Sequence, residues 1–277
     1  MSDHLPASMA VPGDSGPAAA KPLEVQVTRL RAVWRLACTV GHAVHGLLIV
    51  LTLFPHLDRA TRLQRIRWWA GKLLRQLGLG LQVEGTWRPG AKLVVANHIS
   101  WLDIMAIHAT CPEARFVSKA DVQRWPLIGR LVDSAGTLYL QREQRRDALR
   151  VVHRMAEALR AGETVAVFPE GTTGDGNRLL PFHANLLQAA IATDTPVQPV
   201  ALRYADATSA NSPAARWVGE TTLAQSLWQL ACGQGLTVHL TILGAQACGH
   251  ADRRSLAMHL RECIAQTFEP VLGADPR

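Results

Sequence analysis

Two patterns of apolar and polar positions follow one another along this chain. Residues 36–54, "LACTVGHAVHGLLIVLTLF", run 19 positions without Asp, Glu, Lys or Arg. As a helix this stretch would be about 28 Å long at ~1.5 Å per residue, close to the ~30 Å hydrocarbon core of a bilayer. His42 and His45 interrupt it. A membrane anchor, spanning or lying in one leaflet, fits the pattern; so does a buried core helix or hairpin. From about residue 81 the pattern changes. "KLVVAN", "ARFVSK", "TLYLQ", "TVAVFPE", "PVQPVALRY" and "LTVHLTILG" read as strands. Between and after them come helical periodicities. Residues 148–161 place Val151, Val152, Met155 and Leu159 on one face and stop at Gly162. Residues 252–268 turn Leu256, Leu260, Cys263, Ile264 and Thr267 inward. "ADATSANSPAAR" (205–216) reads as a polar surface loop. Strands alternating with helices predict an α/β layered sandwich, its central sheet largely parallel and flanked by helices.

The predicted organisation is a disordered tail (1–22), a membrane-anchoring and basic interfacial segment (23–77) and a catalytic-sized domain (78–277). The tail, "MSDHLPASMAVPGDSGPAAAKP", is rich in Pro, Ala, Gly and Ser and lacks the plan of a secretory signal. Charge sharpens the middle segment. The chain carries a formal net charge of +7. Six cations, Arg59, Arg62, Arg65, Arg67, Lys72 and Arg75, lie within "RATRLQRIRWWAGKLLR" beside Trp68 and Trp69, with no acidic residue among them. A basic, Trp-bearing helix after an apolar stretch suits an anionic cytoplasmic leaflet. A solvated helix face is the plainer reading. The basic excess is local and no recognition motif accompanies it, so no nucleic-acid partner is expected. Five cysteines without a Cys-x-x-Cys pair predict core thiols rather than disulfides or a zinc site.

Chemistry gathers at the ends of two predicted strands. In "VVANHISWLDIMAI" (94–107) an apolar run ends at Asn97 and His98, and Asp103 follows five residues later. On one helix the two would diverge, because five residues turn by about 140° net. They can meet if His98 lies on a turn and Asp103 in the first turn of the following helix, a break that the Ser100-x-x-Asp103 spacing favours. Such a pair is a general base with its orienting carboxylate. The same residues would also serve as a self-capping turn. No Gly-x-Ser-x-Gly elbow, Walker loop or complete dinucleotide fingerprint occurs, and His98, Asp103 and His108 are badly spaced for a metal. The nucleophile is therefore expected to come from the substrate. The second strand end is "VAVFPEGTTGDGNRLLPF" (165–182), where Glu170 and Gly171 begin a turn whose amides could hold a polar head group.

Five ordered blocks over about residues 80–205 resemble the glycerolipid acyltransferases, and within them the lysophosphatidic acid acyltransferase group: "NHISWLD", "FVSKADVQRWPLIGRL", "AGTLYLQR", "FPEGTT" and "TPVQPVAL". The resemblance implies an α/β sandwich on a membrane-binding helical segment. It also implies acyl transfer from acyl-CoA or acyl-carrier protein to a lysolipid hydroxyl at the cytoplasmic face of the inner or plasma membrane. His98 would be the base and Asp103 its partner. Lys119 and Arg142 would hold a head-group phosphate, and Glu170, Gly171, Thr172 and Thr173 would position the acceptor. No metal or tightly bound cofactor is implied. The first acceptor expected is 1-acyl-sn-glycerol-3-phosphate, giving phosphatidic acid. Thr173 stands where many relatives carry Arg, and Phe182-His183-Ala184-Asn185 replaces a Phe-Lys-x-Gly block. These departures bring lyso-ornithine lipid in as the alternative acceptor. A lipid or thioester hydrolase, with water as acceptor, and a non-catalytic peripheral membrane protein remain the other classes.

Overall fold

The computed structural model describes residues 28–125, 128–140 and 145–268. The predicted tail and Arg142 lie outside them. Seven strands among the described residues form one mixed sheet: β1 (Gly80–Glu84), β2 (Lys92–Ala96), β3 (Ala114–Lys119), β4 (Leu138–Leu140), β5 (Thr164–Val167), β6 (Val197–Ala205) and β7 (Thr237–Ile242). Their order is β1-β7-β6-β2-β5-β3-β4. β2 pairs in parallel with both β5 and β6, while β7 pairs antiparallel with β6. The sheet is thus largely parallel, as expected, but β1 and β7 run against the rest. The short edge strand β1, with only Leu81 of its five residues away from full exposure, carries too little apolar signal to be recognised in sequence.

β2 is buried along its whole length, which explains its continuous apolar run. Alternation sends Val94 and Ala96 to one face and Leu93 and Val95 to the other. On the first face pack α2 (Arg59–Leu77), α3 (Leu102–Thr110) and α7 (Leu223–Cys232) through Leu74, Ile107 and Leu230. On the second lie α5 (Arg145–Arg160), α6 (Gln188–Ile191) and α8 (Arg253–Ala265) through Met155, Ala189 and Leu260. The expected inward faces of α5 and α8 hold, except that Val152, Cys263 and Thr267 are only half-buried. A further short helix, α4 (Ile128–Ser134), precedes β4.

α1 (Arg29–Thr52) covers all but the last two residues of the predicted apolar stretch and begins seven residues earlier. It packs outside α2 and α7. Trp69 Nε1 donates to His42 O at 3.1 Å, and the His42 ring stacks on Trp69. A Cβ at Gly46 would fall 2.2 Å from the Trp69 indole nitrogen, so a larger residue there would push the helices apart. The two faces of this helix differ. One face is a packed seam, and the other leaves Leu30, Val33, Trp34, Val40, Leu48 and Leu51 exposed. A single apolar N-terminal helix with such a face suggests membrane association. α2 is capped by Asp58, whose carboxylate accepts from Thr61 N at 2.7 Å. It ends at Gly78 in the left-handed region.

Candidate active site

β2 ends at Ala96, and the chain turns through Asn97–Trp101 before α3 starts at Leu102. The turn is held from several directions. Asn97 exchanges two hydrogen bonds with the backbone of Leu202 in β6, at 2.9 and 2.7 Å. Gly174 N donates to His98 O at 2.7 Å, and Trp217 N donates to Ile99 O at 3.1 Å. His98 therefore sits on a turn and Asp103 in the first helical turn, the arrangement the spacing required.

The two side chains meet. His98 Nδ1 lies 2.8 Å from Asp103 Oδ2. The same oxygen accepts from Ile99 N at 2.7 Å and Ser100 N at 3.0 Å. The Ser100–Asp103 cap is only half formed: the carboxylate receives the Ser100 amide, but the Ser100 hydroxyl turns to Leu102 N. The other carboxylate oxygen, Oδ1, accepts from Tyr204 OH at 2.6 Å. Asp103 is fully buried. Burial first, and the neighbouring Asp103 charge second, raise the Tyr204 phenol well above its ordinary range, so it stays a donor. The His98 ring stacks on Phe168, with centroids 4.0 Å apart and planes 9° from parallel. Its side chain keeps 19% of its surface exposed. With Nδ1 turned to the carboxylate, Nε2 is left to exchange a proton.

Glu170, at the turn after β5, faces the same loop and holds its backbone rather than its imidazole. Its Oε1 accepts from the backbone N–H of His98 at 2.8 Å, and Oε2 accepts from Leu180 N at 3.0 Å. Burial raises its pKa, and the two amide hydrogen bonds oppose that shift. Gly171 adopts φ 69°, where a glycine is favoured, and its N–H closes a turn onto Phe168 O at 3.1 Å. That amide is engaged within the turn rather than displayed for an anion. Thr172 is exposed, whereas the Thr173 hydroxyl donates to the Trp217 carbonyl. Thr173 thus ties the turn to the 206–222 loop. Sequence had read 205–216 as a plain surface loop; instead Ser212 and Ala215 are buried and Trp217 grips the histidine turn. A loop's polar composition does not reveal that it is folded over a site.

Lys119 ends β3, two strands from β2 in the sheet. Among the described residues, Arg178 is a cation that lines the same cleft as His98 and Glu170, together with Asn177. Sequence reasoning missed Tyr204, Phe168 and Arg178. Phe168 and Arg178 stood inside a quoted block, but Tyr204 carried no signal of its own. No His, Cys, Asp and Glu group among the described residues is arranged to hold a metal.

An acyltransferase family model matches residues 81–203, a range that contains both turns. A lyso-ornithine lipid O-acyltransferase from Pseudomonas aeruginosa is 34% identical over 246 residues, covering 86% of this chain and 93% of that protein. The chain belongs to the acyltransferase family. A 1-acyl-sn-glycerol-3-phosphate acyltransferase from Neisseria meningitidis is 35% identical over 195 residues, 69% of this chain and 76% of its own length. The crystal structure of PlsC, a 1-acyl-sn-glycerophosphate acyltransferase from Thermotoga maritima, superposes with a TM-score of 0.69 at 22% identity, covering 90% of this chain and 97% of that one. That likeness concerns the fold, including the mixed sheet.

Proposed function

We propose that this acyltransferase moves an acyl chain from an acyl-CoA or acyl-carrier protein thioester to the free hydroxyl of a lysolipid. The observation that carries this reading is the His98–Asp103–Tyr204 chain of hydrogen bonds. His98 Nε2 takes the proton of the lysolipid hydroxyl as its oxygen attacks the thioester carbonyl carbon. Asp103 stabilises the imidazolium and keeps the ring oriented. The tetrahedral adduct collapses with cleavage of the C–S bond, and the imidazolium returns the proton to the departing sulfur. The reaction needs no metal or tightly bound cofactor. Phe168 covers one face of the ring, and Glu170 fixes the backbone on which the ring is mounted.

The first acceptor is 1-acyl-sn-glycerol-3-phosphate, giving phosphatidic acid. Lys119 and Arg142 come from the family resemblance as its phosphate ligands, and Arg178 is a third cation suited to that work. Lyso-ornithine lipid is the second reading, supported by neutral Thr173 and by the relative that spans most of the chain. Gly171, Thr172 and Thr173 act by shaping the turn around Glu170. α1 lies in one leaflet of the cytoplasmic face of the inner or plasma membrane, because its other side is occupied by α2 and α7.

The test uses the full chain with acyl-CoA or acyl-carrier protein, and lysophosphatidic acid, lyso-ornithine lipid or no acceptor, with products identified by mass. Acyl addition to a lysolipid supports the reading. Free fatty acid released equally fast without acceptor would make the protein a thioester hydrolase. Arg178→Ala should lower use of the phosphate acceptor more than the zwitterionic one.

A further inference from the structure

A second polar feature lies away from His98, where α1, the end of α2 and the start of β1 meet. An open groove of about 560 Å³ is lined there by Arg31, Trp34, Arg35, Arg75, Gln76 and Gly78, among others. Three arginines line it, and among the described residues no carboxylate pairs with any of them. Such a cluster without a counter-charge complements an anion.

Arg35 is built into place. Its Nη1 donates to Ala231 O at 3.0 Å and Gly233 O at 2.7 Å, at the C-terminal end of α7. Its guanidinium lies so close to Gly78 that a Cβ there would come within 2.4 Å of Cζ and Nη2. Arg31 stands one helical turn before it, and Arg75 lines the groove from α2, its Nη1 lying back toward Gly71. Beside the arginines, Leu30 is 83% exposed, Val33 53% and Trp34 69%. Cations next to an exposed apolar and Trp-bearing helix face are the arrangement expected at head-group depth.

We propose that this groove seats the head group of one bilayer phospholipid, with Arg31, Arg35 and Arg75 supplying the positive charge for its phosphate. Its acyl chains run along Leu30, Val33 and Trp34. The ligand class is an anionic phospholipid, such as phosphatidylglycerol. The seat is distinct from the acyl-transfer site. α7 separates the two: Ser226 near its start receives the Trp101 indole N–H at 3.1 Å, and the Arg35 contacts lie at its end. The lipid therefore reinforces the joint between α1 and α7 without entering the reaction.

Native mass spectrometry of the full chain in mild detergent tests this, with phosphatidylglycerol, phosphatidylcholine or CoA added separately. One phosphatidylglycerol should bind per chain, at least tenfold tighter than phosphatidylcholine. Arg31→Gln/Arg75→Gln should weaken it tenfold or more, Arg31→Lys/Arg75→Lys should keep most of it, and acyl transfer to a micellar lysolipid should survive in both. Arg59→Gln/Arg65→Gln, which removes exposed α2 charge outside the groove, should leave the one-to-one adduct intact. Equal losses in the two Gln pairs, or equal binding of the two lipids, would mean general surface charge and overturn the seat. Displacement of the lipid by equimolar CoA would assign the groove to the donor's phosphates instead and overturn the lipid assignment. If the Gln pair misfolds, the Lys pair decides: loss of the adduct in a folded Lys pair rejects a charge-held phosphate.

Discussion

Asp103 and Glu170 follow neighbouring parallel strands, β2 and β5, and each is a buried carboxylate aimed at the same five-residue turn. Asp103 Oδ2 collects the imidazole and two amides while Oδ1 takes the Tyr204 hydroxyl. Glu170 collects two amides from separate segments, His98 and Leu180. One carboxylate acts on the reacting side chain, and the other on the backbone that carries it. Burial has a visible electrostatic consequence at Glu170, where it outweighs the amide hydrogen bonds and raises the pKa. Similar residues at similar strand ends thus divide chemistry from positioning.

The largest effect that would sharpen this division is His98→Ala. Loss of a general base is expected to lower kcat by about 10²–10⁴ with little change in melting temperature, since the side chain is partly exposed on a turn. Wild-type turnover in the folded variant would break the mechanism. Asp103→Asn should lower kcat by about 10² and also destabilise, because a buried amide cannot accept from all four donors. If it fell no further than the positioning variants do, Asp103 would be a scaffold like Glu170.

Glu170→Gln should read mainly as stability, about 1–3 kcal/mol, because the amide NH₂ must face one of the two backbone N–H groups. Its pH dependence carries a sign. A carboxylate whose folded pKa is raised binds its proton more tightly in the folded state, so stability falls as pH rises from the unfolded value through the raised one. Chemical denaturation across that window should show this decline in the wild type and a flatter profile in Glu170→Gln. An unchanged profile would remove the electrostatic contrast between the two carboxylates.

Tyr204→Phe should cost about tenfold in kcat, equivalent to ~1.4 kcal/mol, since Asp103 keeps three of its four donors. The smallest change is Thr173→Val. It cuts the tie to Trp217 and should lower stability by about 0.5–1.5 kcal/mol, with the acceptor ratio nearly unchanged. A large shift in that ratio would show that Thr173 reads the head group directly.

Much of this was legible locally. Short apolar runs placed the main strands, and the period-3.6 pattern placed the inward faces of α5 and α8, because burial selects apolar side chains along a whole element or along one face of it. The His98–Asp103 pairing was legible too, since five residues and one turn settle whether the groups can meet. The family blocks placed both strand ends in one site. Exposed β1 was not readable, nor the reversal at β7, because a short strand's direction depends on the partner it finds.

The sequence by itself determined which segments are apolar, where the histidine turn breaks the helix and where the basic charge concentrates. Those properties follow from neighbouring residues. Only the tertiary structure decided that Tyr204, 101 positions from Asp103, completes its hydrogen bonds. It also decided that Thr173 holds a loop and that α1 is half seam, half exposed apolar face. Each depends on which distant surface arrives beside the group, and a buried polar atom takes whichever partner the packed sheet brings within reach.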